Sequence, residues 1–262
     1  VFGQNLELEE RYAENDPSRS RELLAELFGL RIDALVTQNY ALIFAHTLTA
    51  NIPIIGVAPD FVGVGLAATL ARPGGNVTGL SLLSGEFSPK WLEYLKAVVP
   101  HLKRVAFLSD FSGTSAIEKR GLDEVAPRFG VTLTQLDAYP GNLDESLEAI
   151  TRENFDGLIV AEVPEASTTR IAALAATNRM PAIYGFGGAV RQGGLMSYSA
   201  DAFEIWRAVA GYVDRVLKGA KPADLPIEQA TKITLAVNLQ AARALGLDIP
   251  PTLLAAADEV IE

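Results

Sequence analysis

Polar and aromatic side chains gather just after the apolar runs of this sequence, and their types suit contact with a small organic molecule. "TQNY" (37–40) supplies Gln38, Asn39 and Tyr40, and "APDF" (58–61) supplies Asp60 and Phe61. "SDFSGTS" (109–115) supplies Asp110, Phe111, Ser112, Thr114 and Ser115. "AEVPE" (161–165) adds Glu162, and "YGF" (184–186) adds Tyr184, Gly185 and Phe186. The carboxylates of Asp60, Asp110 and Glu162 could pair with an ammonium group. The hydroxyls of Ser112, Thr114 and Ser115, with nearby backbone amides, could hold a carboxylate. The rings of Tyr40, Phe61, Phe111, Tyr184 and Phe186 could flank a flat apolar body. A plainer reading stands beside these, in which Asp110 and Ser112 are helix caps and some of the rings are core.

Other chemistries find little support. "YGFGG" (184–188) has the look of a phosphate loop, but a Walker loop needs G-x-x-x-x-G-K-[ST] and no lysine is supplied here. A dinucleotide fingerprint needs G-x-G-x-x-G between a strand and its helix, and neither this stretch nor "GVGLAA" (63–68) fits. The histidines are two, His46 and His101, and cysteine is absent, so thiolate metal sites, disulfides and a cysteine nucleophile are excluded. No H-E-x-x-H or G-x-S-x-G occurs. The expectation is therefore a binding protein and not an enzyme, with no cofactor and no metal.

The elements that must position these residues alternate. Short β-like runs are followed by amphipathic helical ones throughout the 262 residues, of which 49% are apolar. "LELEERYA" (6–13) reads as a strand, and Asp16-Pro17 as the cap and first turn of a helix. "IDALVT", "PIIGV", "VTGLS", "RVAFLS", "VTLTQLDA", "DGLIVA", "PAIYG", "GLMSYS" and "KITLAV" read as further strands. A helix is expected through "VGVGLAATL", and another opening at Ser88-Pro89. Such alternation calls for parallel sheets covered on both faces. With 22 basic and 32 acidic residues the net charge is −10, and no basic run favours a nucleic acid or a membrane surface. No apolar run reaches the ~20 residues needed to span a bilayer.

One pattern occurs twice. "IDALVTQNYALIFAHTLTANIPIIGV" (32–57) aligns with "FDGLIVAEVPEASTTRIAALAATNRMPAIYGF" (155–186), matching Asp33 with Asp156 and Pro53 with Pro181. Each copy continues into a glycine-rich turn and a short strand, "GGNVTGLS" and "GGLMSYS". The repeat favours two lobes of similar build. In open parallel sheets ligands sit outside the carboxyl ends of the strands, which is where the polar clusters fall.

The phrases "ARPGGNVTGLS", "PAIYGFGGAVRQGGLMSYS", "LKGAKPADLP" and the "RVAFLSD" strand closely resemble the ABC-transporter substrate-binding family that includes tryptophan- and tyrosine-binding lipoproteins. The resemblance covers essentially the whole chain. It implies an α/β fold of the type I periplasmic-binding-protein kind, two doubly wound parallel-sheet lobes joined by a three-segment hinge. It also implies export to the periplasm or outer face of the membrane, a small-molecule ligand closed between the lobes, an ABC permease as partner, and a monomer. The expected lobes are residues 1–100 with 200–228, and 101–199 with 229–262. Relatives often read "GDPV" where this chain has Pro59-Asp60-Phe61-Val62, which carries Asp60 over. They often read "YGFREF" where it has "YGFGGA", so Gly187 and Gly188 replace a bulky charged pair. Relatives have a further strand and helix before "GQNLELE", and a preceding βα unit is expected here, as is a removed N-terminal segment, since the chain starts at Val1.

The ligand expected on this footing is an amino acid or related carboxylate, with an aromatic or branched apolar body. The glycines of "YGFGG" are expected to make a tight turn, using backbone angles open to glycine. A ligand-sensing module of the same fold, and an α/β enzyme using Asp60, Asp110 or Glu162, are the competing readings.

Overall fold

A computed structural model describes residues 5–13, 16–82, 84–109, 113–139, 141–161, 163 and 165–262. In chain order its elements begin with α1 (Pro17–Gly29), β1 (Leu35–Gln38), α2 (Asn39–Leu48), β2 (Ile54–Ala58) and β3 (Val77–Ser81). There follow α3 (Ser84–Val98), β4 (Arg104–Ser109), α4 (Gly113–Phe129), β5 (Thr132–Asp137), α5 (Leu143–Arg152), β6 (Gly157–Val160) and α6 (Glu165–Thr177). The remainder is β7 (Ala182–Tyr184), α7 (Gly188–Arg191), β8 (Met196–Ala200), α8 (Ala202–Leu217), β9 (Glu228–Gln229), β10 (Ile233–Asn238), α9 (Leu239–Leu245), α10 (Pro251–Ala256) and β11 (Glu259–Ile261).

The chain forms two compact units, Val1–Ser81 with Arg207–Glu228, and Leu82–Trp206 with Gln229–Glu262. It passes between them three times. Helix α3, grouped with the first lobe when the sequence is read alone, falls in the second unit, where Trp91, Leu92 and Leu95 pack on its sheet.

Unit 1 holds a four-stranded sheet in the order β1-β2-β3-β9, with β1, β2 and β3 parallel. Every residue of β2 and β3 is buried, as expected of strands covered on both faces. Leu24, Leu42, Ile54, Phe61 and Val77 form its core. Helix α1 starts as the sequence predicts: the Asp16 carboxylate accepts from the amides of Ser18 and Arg19, with Pro17 in the first turn.

Unit 2 holds a seven-stranded sheet in the order β11-β10-β8-β7-β6-β4-β5, parallel except where β10 runs against β8. Side chains alternate between two cores. Val105, Phe107, Ile159 and Ile183 join Trp91, Leu95, Leu122 and Leu253 on one face. Ala106, Leu108, Leu158, Val160 and Tyr184 join Leu143, Ile150, Ile171 and Ala189 on the other.

The repeated pattern holds in three dimensions, residue for residue. Leu35 pairs with Ile54 as Leu158 pairs with Ala182, and Ile55 pairs with Thr78 as Ile183 pairs with Met196. Thus β1-α2-β2-β3 and β6-α6-β7-β8 are the same supersecondary unit in the same register.

Three local expectations are corrected. "LELEERYA" makes one isolated bridge at Leu6 and no ladder among the described residues, and its side chains are mostly exposed. "VGVGLAATL" forms turns and bends, because the Asp60 carboxylate accepts from the amides of Val62 and Gly63 and Gly65 takes a φ of 77°. Helix α3 begins at Ser84, a turn before Ser88-Pro89, and holds Pro89 inside it. Proline leaves the carbonyl of Gly85 without its usual amide donor; that oxygen lies 3.4 Å from the Ser88 hydroxyl, which also donates to Glu118 O at 3.0 Å.

Candidate functional site

In unit 1 the candidate residues gather at the carboxyl ends of β1 and β2, which lie side by side. Gln38 closes β1 and is exposed; Asn39 turns the chain directly into α2 with a φ of 53°. A left-handed asparagine between strand and helix makes a sharp bend, and asparagine tolerates it better than most residues. Tyr40 follows, half-buried, in the first turn of α2. Asp60 lies two residues past β2, with one carboxylate oxygen 3.0 Å from Val62 N and 2.8 Å from Gly63 N. Those bonds fold the loop, so Asp60 acts here as a turn-former. Phe61 is 0% exposed and fills the unit 1 core, so its ring presents no face to solvent.

In unit 2 the candidates follow β4, β6 and β7, three neighbouring parallel strands. Asp110, Phe111, Ser112 and Glu162 lie outside the described residues. Thr114 belongs to the first turn of α4, and Ser115 beside it is buried. Tyr184 ends β7, fully buried on one face of the sheet; its hydroxyl has no hydrogen-bond partner among the described residues, and burial pushes its pKa above the ordinary phenol value. Phe186 is half-buried and stands edge-on to Tyr184, with 5.8 Å between centroids.

The glycines of "YGFGG" have a different purpose from the one the sequence suggests. None of Gly185, Gly187 and Gly188 takes a positive φ; the left-handed residue of this stretch is Gly193, at 96°. A Cβ on Gly185 would lie 2.7 Å from the indole of Trp91, so glycine there lets Trp91 pack against the strand end. Trp91 is itself pinned, its Nε1 donating to Tyr198 O at 2.6 Å. Gly187 and Gly188 open the short helix α7. No phosphate loop results.

Two residues that reading the sequence leaves unremarked are Ser197 and Ser199 of β8, 1% and 4% exposed, with neither hydroxyl hydrogen-bonded among the described residues. The alternation in "LMSYS" carries the signal: Met196 and Tyr198 pack into the Trp91 core, leaving both serines on the opposite face with Tyr184. Among the described residues no group of three or more His, Asp or Glu could hold a metal ion. No described helix is long and apolar enough to cross a membrane.

The sequence profile of the ABC transporter substrate binding protein family matches residues 3–261. The tyrosine-binding protein of Clostridioides difficile (strain R20291) is 24% identical over 257 residues, covering 94% of this chain and 72% of that protein. Among solved structures, a conserved domain protein from Vibrio cholerae superposes with a TM-score of 0.89 at 24% identity, over 98% of this chain and 88% of that one. The ABC domain from Streptococcus pneumonia in complex with L-Trp gives a TM-score of 0.84 at 25% identity, over 94% and 84%. The fold is that of type I periplasmic-binding proteins.

Proposed function

Since the chain belongs to the ABC transporter substrate binding protein family, a family of solute-binding proteins and not of enzymes, we propose that it captures an aromatic amino acid outside the cytoplasm and presents it to the membrane permease of an ABC importer. The observation that carries this reading is the placement of the candidate residues: in both units they follow the carboxyl ends of parallel strands, where open α/β sheets hold their ligands. The relatives named for tyrosine and bound to L-Trp support the ligand class.

Three passages of the chain between the units suit a hinge. A ligand touched by Gln38, Asn39 and Tyr40 from one unit, and by Phe186, Ser115 and the residues after β4 and β6 from the other, stabilises the closed form, because both sets of contacts exist only there. Asp60, engaged with its own loop amides, shapes this site through the backbone. The protein works as a monomer, since each chain carries both halves of the site.

Calorimetric titration and thermal unfolding against the twenty amino acids test the proposal. L-tyrosine or L-tryptophan should raise the melting temperature, by about 2.7 kcal/mol of added stability at a hundredfold excess over the dissociation constant. Mass spectrometry of the incubated ligand should return it unchanged. No response to any aromatic amino acid, or its chemical conversion, defeats the reading.

A further inference from the structure

The seven-stranded sheet of unit 2 ends in two unlike edges. At one lies β11, three residues long and carrying Glu259, which pairs with Arg191 at 3.1 Å. Short strands and charge are the usual means of keeping an edge from pairing with another chain. At the other lies β5, which pairs only with β4 among the described residues. Its run "TLTQLD" holds no proline and no lysine, and its side chains from Leu133 on are half-buried. The amides of Thr132 and Ala138 donate to Lys103 O and Ser109 O, both at 2.7 Å, so the even-numbered residues face β4. Those of Leu133, Gln135 and Asp137 therefore lie along the outer side, a row of backbone groups set for a further strand.

Beside this edge is an open cavity of about 450 Å³. Gln135 lines it from the strand, and Lys119, Arg120, Asp123 and Glu124 line it from α4. Two basic residues are thus followed, one turn on, by two acidic ones. Lys119 reaches Asp123 at 2.6 Å along the helix. Within one helix that order is the poorer one, since an acid placed N-terminal to its base supports a helix better. Arg120, Asp123 and Glu124 are exposed. Turned end for end, the series reads acid, acid, base, base, which makes it the complement of itself.

We infer that this edge is a self-association surface, on which β5 pairs antiparallel with β5 of a second copy about a two-fold axis near Gln135. Such an axis sets Gln135 opposite its own counterpart and Leu133 opposite Asp137. All three face outward, so every pair falls in the hydrogen-bonded class of an antiparallel ladder. The same axis lays α4 antiparallel to its copy, bringing Lys119 and Arg120 toward the second copy's Glu124 and Asp123. Each molecule keeps its whole ligand site, so capture remains the work of one chain. The inference therefore stands or falls apart from the proposed function.

Sedimentation equilibrium of the wild type across about 1 μM to 1 mM should show a monomer–dimer equilibrium that salt weakens. Lys119→Glu with Arg120→Glu leaves acids at all of the α4 positions, and Asp123→Lys with Glu124→Lys leaves bases. Each double variant alone should associate at least about tenfold more weakly. An equimolar mixture of the two should regain association as heterodimers. Gln135→Pro removes an outward amide, a change that edge strands tolerate, and should abolish pairing; thermal unfolding checks that each variant is folded. A wild type that stays monomeric throughout overturns the inference. So does a mixture that associates no better than its components, and so do dimers that survive in folded Gln135→Pro, because the contact then lies elsewhere.

Discussion

Set side by side, β1-α2-β2-β3 of unit 1 and β6-α6-β7-β8 of unit 2 share one register and differ in what fills it. Where unit 1 has Gly56 beside Gly79, unit 2 has Tyr184 beside Ser197. In unit 1 the two backbones are so close that a Cβ on Gly79 would fall 1.9 Å from Gly56 O, and a Cβ on Gly56 would strike Leu42. In unit 2 the same two places carry buried hydroxyls. The matched aspartates also part ways. Asp156 accepts from the amides of Lys103 and Arg104, fixing the start of β4 against β6. Asp33 is exposed two residues before β1, the edge strand of its described sheet, and makes no such bond among the described residues. A repeated sequence thus repeats its backbone, while the chemistry of each copy is set by the neighbours that its strands acquire.

Substitutions at matched places can break that comparison. Gly79→Ala should have the largest effect, because a φ of 144° and the Gly56 carbonyl leave no room for a methyl group. A loss of about 4 kcal/mol or more is expected, measured by denaturant unfolding; a well-folded variant of near-native stability would show that β2 and β3 are not held so tightly. Next comes Ser81→Ala, which removes the hydroxyl donating to the buried Pro59 carbonyl at 2.8 Å and should cost about 1–3 kcal/mol. Ser199→Ala removes a buried hydroxyl with no partner among the described residues and should instead stabilise, by about 1 kcal/mol; equal signs would erase the distinction between the two serines. Smallest is the aspartate pair. Asp156→Asn should cost about 1 kcal/mol, and Asp33→Asn should stay within about 0.5 kcal/mol.

Acid titration isolates the Asp156 contribution. Partial burial alone would raise the Asp156 carboxyl, but the amides of Arg104 and Lys103 outweigh it, helped by the charges of His101 and Arg104, and hold it below the ordinary aspartate value. Its contribution is therefore complete above the unfolded pKa of about 3.9 and fades as pH falls through the lower folded value. The acid limb of stability in Asp156→Asn should be flatter than in the wild type. Identical limbs in the two would remove the Asp156 bonds from the account.

Much of the architecture could be read from the residues. Period-two and helical runs marked most strands and helices, and the alignment of "IDALVT" with "FDGLIVA" foretold a shared register that the coordinates repeat. Failures came where a local pattern lacked a tertiary partner or was overridden by one. "LELEERYA" opens with alternation, Leu6-Glu7-Leu8-Glu9, and finds no ladder among the described residues, since alternation states a preference for a face and not the presence of a neighbour. The Asp60 loop has helical spacing, yet a carboxylate two residues before its amides closed it into turns. At the candidate site, side-chain type pointed to strand ends but could not reveal depth: Phe61 and Tyr184 are core, and Gly185 accommodates an indole. The serines of β8 were invisible because serine is ordinarily a surface residue, and only the fold shows two of them sealed in without a hydrogen-bond partner among the described residues.

The chain has two tryptophans, and their settings are opposite: Trp91 is 1% exposed beneath Gly185, whereas Trp206, where α8 leaves unit 2, is 44% exposed. Under ultraviolet excitation the molecule therefore emits from one dry and one wet chromophore, with a small collisional quencher able to reach only the second. Nature has in effect supplied an internal reference beside an external reporter, so events at the tip of β7 and at a passage between the units can be followed in the unlabelled protein.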